Sequence, residues 1–162
     1  MQSLPLTEIA LRLLTAFVCG AVIGLNRDLR RQPAGMRTFG LVSVGSAVVT
    51  LVMSQIPGTG ADAVSRVIQG VLTGIGFLGA GVILHREKPG KVAGLTTAAA
   101  VWFTAGLGIA AGAGLFAIVW LSLALALIVL LIGGPVEHLF GKLLGRDARI
   151  ELEAKDEKRS GG

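Results

Sequence analysis

The sequence predicts an all-α fold, a polytopic membrane bundle of about five transmembrane helices. Its 162 residues are 52% hydrophobic and only 15% charged. Their mean hydropathy of +0.74 is far above what a soluble domain of this size needs to bury a core. Apolar runs long enough to cross a hydrocarbon layer of about 30 Å as helices recur along the chain. These runs are 8–25, 39–56, 67–84, 95–111 and 115–134, and they define a transmembrane bundle over 1–134.

The first run is interpreted as a retained helix rather than a signal peptide. No Lys or Arg precedes its apolar stretch, and a basic cluster that begins at Arg27 follows it. Cys19 is the only cysteine, so no disulfide within the chain can form. The residues before Cys19 make a poor lipidation site. We therefore expect Cys19 to be a small core residue.

Glycines in spans 1, 3 and 4 are predicted to mediate close helix packing. Gly74, Gly76 and Gly79 match the spacing of a dinucleotide-binding turn, but they lie inside an apolar run and no acidic residue follows about 20 positions later. In lipid, helices associate by close backbone contact across small residues. The glycines that we assign to helix packing are Gly20, Gly24, Gly70, Gly74, Gly76, Gly79, Gly81, Gly108 and Gly112.

The last third of the chain is predicted to contain the peripheral helix of the bundle and the segments that follow it. Span 5, at 115–134, is bulky and apolar nearly all round, so we expect a peripheral helix that faces lipid. Residues 135–146 alternate apolar and charged side chains at helical spacing, which predicts a short amphipathic helix in the inner interface. Residues 147–162 are charged and end in glycine, which is typical of a mobile tail.

The charge distribution predicts the orientation of the chain. Most of the 15 Lys and Arg residues fall on one side of the membrane if the five spans alternate. The positive-inside rule then places the N-terminus outside and the C-terminus in the cytoplasm. The net charge of +5 does not indicate nucleic acid, because the chain has no tyrosine and no aromatic platform among its basic residues.

An internal repeat relates spans 1 and 2 to spans 3 and 4. GAVIGLNRD (20–28) aligns with GAGVILHRE (79–87), and AGMRT (34–38) then falls on AGLTT (93–97). Each unit reads as a helix that descends to a basic loop and a helix that returns. This predicts two parallel-repeat hairpins about a pseudo-two-fold axis along the membrane normal. The alternative is convergence of two hairpins with similar topology.

The spans offer little chemistry at membrane depth. The acidic residues nearest to them, Glu8, Asp28, Asp62 and Glu87, lie at the span ends or in the outer loop. A route for a divalent cation normally offers carboxylates or carbonyl oxygens at depth. Neither a Cys and His cluster nor a nucleophile paired with a base can be assembled. We therefore expect no metal site, no cofactor and no enzymatic activity.

Two arginines fall within the apolar layer, where a charge usually has a partner or a task. Arg12 lies about one turn into span 1; it either snorkels outward or pairs with Glu8, one turn earlier on the same helix face. Arg66 lies at the outer mouth of span 3 and could pair in the same way with Asp62.

The cytoplasmic turns form the most polar surface. Thr38 and Thr97 are predicted to cap the N-termini of spans 2 and 4, where free amides attract anions. With the nearby basic residues, they predict a site for a lipid headgroup, a phosphate or an acidic segment. Alternatively, the charges only set topology. The candidate functional residues are Arg12, Asn26, Arg27, Asp28, Gly35, Arg37, Thr38, Arg66, Arg86, Glu87, Gly94, Thr96 and Thr97.

Four stretches together resemble the MgtC/SapB family of bacterial inner-membrane proteins. They are GAVIGLNRDLRRQPAGMRT (20–38), Arg66, GIGFLGAGVILHRE (74–87) and GLTTAAAVW (94–102). The resemblance implies a bundle of transmembrane helices in the bacterial cytoplasmic membrane. Two departures stand out. Asn26 occupies a position where the family pattern favours Glu, and the soluble cytoplasmic domain that follows the bundle in longer members has no counterpart in this sequence.

The resemblance also implies a role in magnesium limitation, acid stress and intracellular survival. The best-known members resemble regulators that restrain the F-type ATP synthase rather than transporters. We therefore expect the chain to contact the lipid bilayer, anionic headgroups on the cytoplasmic side, and another membrane protein or a second copy of itself. The rival interpretation is a small magnesium transporter or channel subunit in which oligomerisation builds the pore.

Overall fold

Helices make up nearly all of the chain that the structure describes. The computed structural model describes residues 4–84 and 94–143. Its helices are α1 (Leu6–Leu29), α2 (Met36–Gln55), α3 (Ala61–Leu84), α4 (Leu95–Gly112) and α5 (Phe116–Leu143). Each of the five contains a segment long and apolar enough to cross a membrane, and these described residues include no strand. The predicted all-α fold with five spanning helices is confirmed.

The first three helices begin earlier than the apolar runs that predicted them. α2 begins at Met36 and α3 at Ala61, several residues before the runs at 39 and 67. The first turns are polar, so a search for apolar runs misses them, although their backbone is helical. Pro5 precedes α1, and its carbonyl accepts the amides of Glu8 and Ile9 at 3.0 and 3.1 Å. The preset φ of proline suits this position before a helix.

The turn between α4 and α5 uses a backbone conformation that favours glycine. Gly114 has φ +78°, and it reverses the chain between α4 and α5 while its amide donates to the carbonyl of Ala111 at 2.9 Å. Leu115 donates in turn to Ala110 at 2.9 Å. A left-handed glycine that follows a helix in this way is a common helix C-terminal arrangement.

The centre of the first compact unit, Met1–Leu123, lies between α1, α2 and α4. These three helices contact one another, and α3 contacts α4 and, less extensively, α2. Residues with no exposed surface include Cys19 and Ile23 of α1, Phe39 of α2 and Ala105 of α4. Cys19 is buried, as expected for a small core residue.

The second unit begins at Ala124, and its described part is the remainder of α5. No side chain between Ala124 and Val136 is buried. The helix continues through Pro135 to Leu143. The interfacial placement of 135–146 and the peripheral position of span 5 stay predictions, and the predicted tail at 147–162 lies outside the described residues.

Candidate functional site

The first polar cluster, called here the Arg27 cluster, consists of Asn26, Arg27, Asp28, Gly35 and Thr97. Arg27, near the end of α1, is 5% exposed, and its Nη2 donates a hydrogen bond of 2.7 Å to Oγ1 of Thr97. Thr97 is fully buried in the first turn of α4. A buried guanidinium must have its donors satisfied to be tolerated. This bond therefore ties the first predicted hairpin to the returning helix of the second.

Asp28 occupies the N-terminus of α2. Its Oδ2 accepts the backbone amide of Met36, the first residue of the helix, at 2.9 Å. The carboxylate also lies directly against Gly35, where a Cβ would overlap Oδ1. A carboxylate at this position satisfies a free amide and complements the positive end of the helix dipole.

The predicted capping by Thr38 and Thr97 is wrong. The N-cap residues are Gly35 and Gly94, and neither helix start has a side-chain cap hydrogen bond from that position. Both threonines are the third residue of their helix and lie within its first turn, because α2 begins at Met36 and α4 at Leu95. Asp28 accepts one of the free amides at the α2 terminus, where the anion site was predicted, and that site stays a prediction.

Asn26 completes the Arg27 cluster. Its Oδ1 is buried and has no hydrogen-bond partner within the described part of the chain. Ser43 Oγ, in the centre of α2, has the same status. Buried polar atoms without a partner are uncommon in proteins. Nothing in the sequence singled out Ser43.

The second polar cluster, called here the Arg12 cluster, consists of Glu8, Arg12, Gly112 and Gly114. Arg12 Nε donates to Glu8 Oε1 at 2.8 Å, which confirms the predicted pair one helical turn apart. Its Nη1 also donates to the carbonyl of Gly112, at the end of α4, at 2.9 Å. A Cβ at Gly114 would lie 2.8 Å from Nη2. The guanidinium thus complements the negative end of the α4 dipole.

The sequence could not indicate the bond from Arg12 to Gly112. A pair one turn apart follows from helix geometry, whereas the second acceptor is a backbone carbonyl on a helix far along the chain. The predicted pair of Arg66 and Asp62, in contrast, does not form. Both residues are exposed, and neither side chain makes a hydrogen bond or ion pair with another described residue.

Four of the predicted packing glycines make backbone contacts inside the chain. A Cβ at Gly20 would lie 2.5 Å from the Phe39 carbonyl oxygen, and one at Gly24 would overlap the Met36 backbone. On α4, a Cβ at Gly108 would overlap the Ser43 carbonyl, and one at Gly112 would lie 2.6 Å from the Ala47 carbonyl oxygen. α2 therefore packs between α1 and α4, and both helices approach its backbone closely at glycine residues.

The glycines of α3 differ from these four. A Cβ at Gly79 would lie at ordinary contact distance, 3.6 Å from the Ala98 Cβ. At four others the added carbon has no contact within 4 Å beyond the helix's own neighbouring backbone; they are Gly70, Gly74, Gly76 and Gly81. Packing through these four is therefore not made within the described chain.

The other candidate residues in the turns between helices are exposed, belong to the start of α4 or lie outside the described residues. Arg37, Thr38 and Thr96 are exposed. Gly94 has φ +94°, which a side chain rarely adopts. Arg86 and Glu87 lie outside the described residues. Within the described ranges, no three His, Cys, Asp or Glu residues lie close enough to hold a metal ion.

Comparison with known proteins finds one family and several relatives. The model of the MgtC family matches residues 13–139. Protein SrpB of Synechococcus elongatus is 50% identical over 118 residues, which cover 67% of this chain and 65% of that protein. Protein MgtC of Salmonella typhimurium is 37% identical over 149 residues, which cover 92% of this chain and 59% of that protein.

A third relative is an uncharacterized protein of Haemophilus influenzae, 46% identical over 110 residues. These cover 64% of this chain and 46% of that protein. The chain thus spans about half to two thirds of the length of the curated relatives it matches. No solved structure matches the chain.

Proposed function

The chain belongs to the MgtC family of membrane proteins, and we propose that it regulates another membrane complex during adaptation to low magnesium or acid stress. It acts in the bacterial cytoplasmic membrane, by contact and without enzymatic activity of its own. The complex that the family resemblance suggests is the F-type ATP synthase. The chain crosses the membrane several times, and the N-terminus outside with the C-terminus inside is part of the proposal.

The observation that carries this proposal is the closure of the bundle interior by backbone contacts. Glycines of α1 and α4 press against α2 on two sides, without space for a single added carbon. The buried hydroxyls of Ser46, Thr50 and Thr104 each donate to a carbonyl of their own helix. An ion path needs oxygen ligands around a hydrated route at membrane depth. A closed interior of this kind supports action by contact rather than by permeation.

The turn between α1 and α2 supports the predicted contact with lipid. Arg30, Arg31 and Arg37 are exposed there, together with the apolar side chains of Leu29 and Met36. Basic side chains beside apolar ones suit the interface of a leaflet that contains anionic headgroups. In our proposal this surface holds the protein at the cytoplasmic face.

A flux measurement tests the choice between regulator and transporter. The purified protein is reconstituted into vesicles that contain a magnesium-sensitive dye, under an imposed voltage and pH gradient. We expect no influx above that of protein-free vesicles. Influx that the Arg66→Ala variant abolishes would contradict the proposal and establish a transporter.

A second measurement tests the regulatory role itself. F-type ATP synthase is reconstituted with and without the protein, and ATP-driven proton pumping is followed by a pH-sensitive dye. We expect pumping to fall as the ratio of protein to synthase rises. The control is an equal amount of the Gly24→Leu variant, whose core cannot close because the Cβ position is filled by Met36. Equal pumping with the folded protein and without it would exclude the synthase as the target.

Labelling of introduced cysteines tests the orientation. Cysteines at residues 60 and 90 are reacted with a membrane-impermeant reagent in intact cells, since native Cys19 is fully buried. We expect residue 60 to react and residue 90 to be protected. The opposite pattern would reverse the proposed topology.

A further inference from the structure

One face of α3 carries polar side chains that no described residue covers. Residues spaced three or four apart along this helix share a face. The exposed residues in this series are Asp62, Arg66, Gly70, Thr73, Gly74, Phe77 and Gly81, called here the open face. The opposite side of α3, which includes Ile68, Val71, Ile75 and Gly79, is partly or fully covered.

The open face is poorly suited to lipid. α3 is long and apolar enough to span a membrane, and almost none of its spanning residues are buried. Charged and polar side chains are costly in hydrocarbon and usually face protein or water. The described part of α5 is also mostly exposed, yet its exposed residues from Ile118 to Val136 are apolar. The two exposed helices therefore differ in character, and the polar side chains of the open face of α3 suit contact with protein or water better than contact with lipid.

The glycines of the open face have an internal precedent. Gly20 and Gly24 of α1 are four residues apart, and the Cβ position of each is filled by backbone atoms of α2. Gly70 and Gly74 have the same spacing, and no described atom lies within 4 Å of their Cβ positions. Such a pair allows two helix backbones to approach closely. The backbone that the open face could receive is not supplied by the described chain.

The charges on the open face identify the partner. Asp62 and Arg66 lie one turn apart, both exposed, and neither pairs with the other or with another described residue. Copies of one chain insert with one orientation, so a two-fold axis along the membrane normal sets two α3 helices side by side and parallel. Asp62 of each copy then faces Arg66 of the other, and the contact is made twice.

We propose that the open face of α3 binds the same face of a second copy of this chain. The glycines allow close approach, Thr73 lies in the contact, and the reciprocal pairs of Asp62 and Arg66 fix the register at the outer end. This inference concerns self-association and stands independently of the regulatory role proposed above.

Disulfide cross-linking tests the contact in vesicles that contain only this protein. The variant Thr73→Cys places a thiol on the open face, and Leu125→Cys places one near the middle of α5, where Leu125 is 55% exposed. Wild type is the background, because its single cysteine is fully buried. On oxidation we expect a covalent dimer from Thr73→Cys and monomer from Leu125→Cys. Equal cross-linking of the two variants would overturn the proposal.

Charge exchange tests the reciprocal pairs. Dimerisation is measured by energy transfer between labelled copies at increasing dilution in lipid. Either Asp62→Arg or Arg66→Asp alone should weaken association by about tenfold, because each places like charges opposite one another. The double variant Asp62→Arg with Arg66→Asp should restore it, since the pairs then form with exchanged partners. Failure of the double variant to recover association would overturn the pairing and the choice of a second copy.

A double glycine variant tests whether dimerisation needs the close approach at the open face. A Cβ added at Gly70 or Gly74 meets no atom of another described helix within 4 Å, so we expect the Gly70→Leu with Gly74→Leu variant to fill the open face and its monomer to fold as wild type. We expect the double variant to lose dimerisation by at least about tenfold, in the range measured for helix contacts in membranes. A folded double variant that dimerises as wild type would overturn the proposal. In native membranes, a Thr73→Cys adduct only with a different protein would do the same.

Discussion

The two predicted hairpins use the same sequence motif in different ways. Gly20 of α1 and Gly79 of α3 are equivalent in the repeat, and each lies next to the equivalent residue of the returning helix, Phe39 or Ala98. In the first hairpin an added Cβ would be 2.5 Å from a backbone oxygen, and in the second it would be 3.6 Å from a methyl carbon. At this position the first hairpin is packed backbone to backbone, whereas the second makes only ordinary van der Waals contact.

The turns of the two hairpins also differ. Gly35 and Gly94 are equivalent in the repeat, yet Gly35 has the extended φ of −118° and Gly94 the left-handed φ of +94°. The equivalent threonines have different roles as well: Thr97 is buried against Arg27, whereas Thr38 is exposed. A repeated motif therefore specifies that a hairpin forms, but the packing of its neighbours decides how tightly each copy closes.

The strongest test of this difference exchanges the equivalent glycines for alanine. Gly20→Ala pushes a methyl group into the backbone of α2, and we expect a loss of about 3 kcal/mol or more of unfolding free energy. Gly79→Ala meets only ordinary contact, and the change should stay within about 0.5 kcal/mol. Reversible unfolding in detergent micelles measures both. Similar losses in the two variants would show that the hairpins are equally tight.

The second test compares the equivalent threonines. Thr97→Val removes the acceptor of the hydrogen bond from Arg27 Nη2, and loss of a buried hydrogen bond to a charged group costs about 2 kcal/mol. Thr38→Val changes an exposed position of the same motif and should cost less than about 0.5 kcal/mol. Thr97→Ser is the matched control that keeps the acceptor. The unfolding free energies of the three variants test this, and a Thr97→Val variant as stable as wild type would show that the bond from Arg27 does not stabilise the core.

The third test concerns the capping carboxylate of the first hairpin. Asp28→Ala removes the acceptor of the Met36 amide, and loss of such a cap costs about 1 kcal/mol. Asp28→Asn keeps an acceptor oxygen and should recover most of this stability. Unfolding midpoints measured side by side check the order. If Asp28→Asn is as damaging as Asp28→Ala, the carboxylate acts through its charge rather than by accepting the hydrogen bond.

Local features of the molecule could be predicted from the sequence, and contacts between distant residues could not. The five helices follow from apolar runs, and the Glu8 to Arg12 pair follows from helix geometry. The bonds from Arg27 to Thr97 and from Arg12 to Gly112 join helices far apart in the sequence. Likewise, glycine spacing indicates that a helix can pack closely, but it does not identify the partner helix. For α3 the predicted contacts are therefore absent from the described chain.

The smallest expected effect lies at the other end of the bundle, where Arg12 holds α1 to the end of α4. Glu8→Gln removes one charge from a pair that is still partly exposed, with side chains 29% and 15% exposed for Glu8 and Arg12. Such pairs contribute about 0.5 kcal/mol, so the unfolding free energy should fall by only that much. Arg12→Gln also loses the bond to the Gly112 carbonyl and should cost more, by about 1 kcal/mol. Calorimetric unfolding of the two variants tests this order. If Glu8→Gln were the more damaging, the ion pair rather than the contact with α4 would be the main role of Arg12.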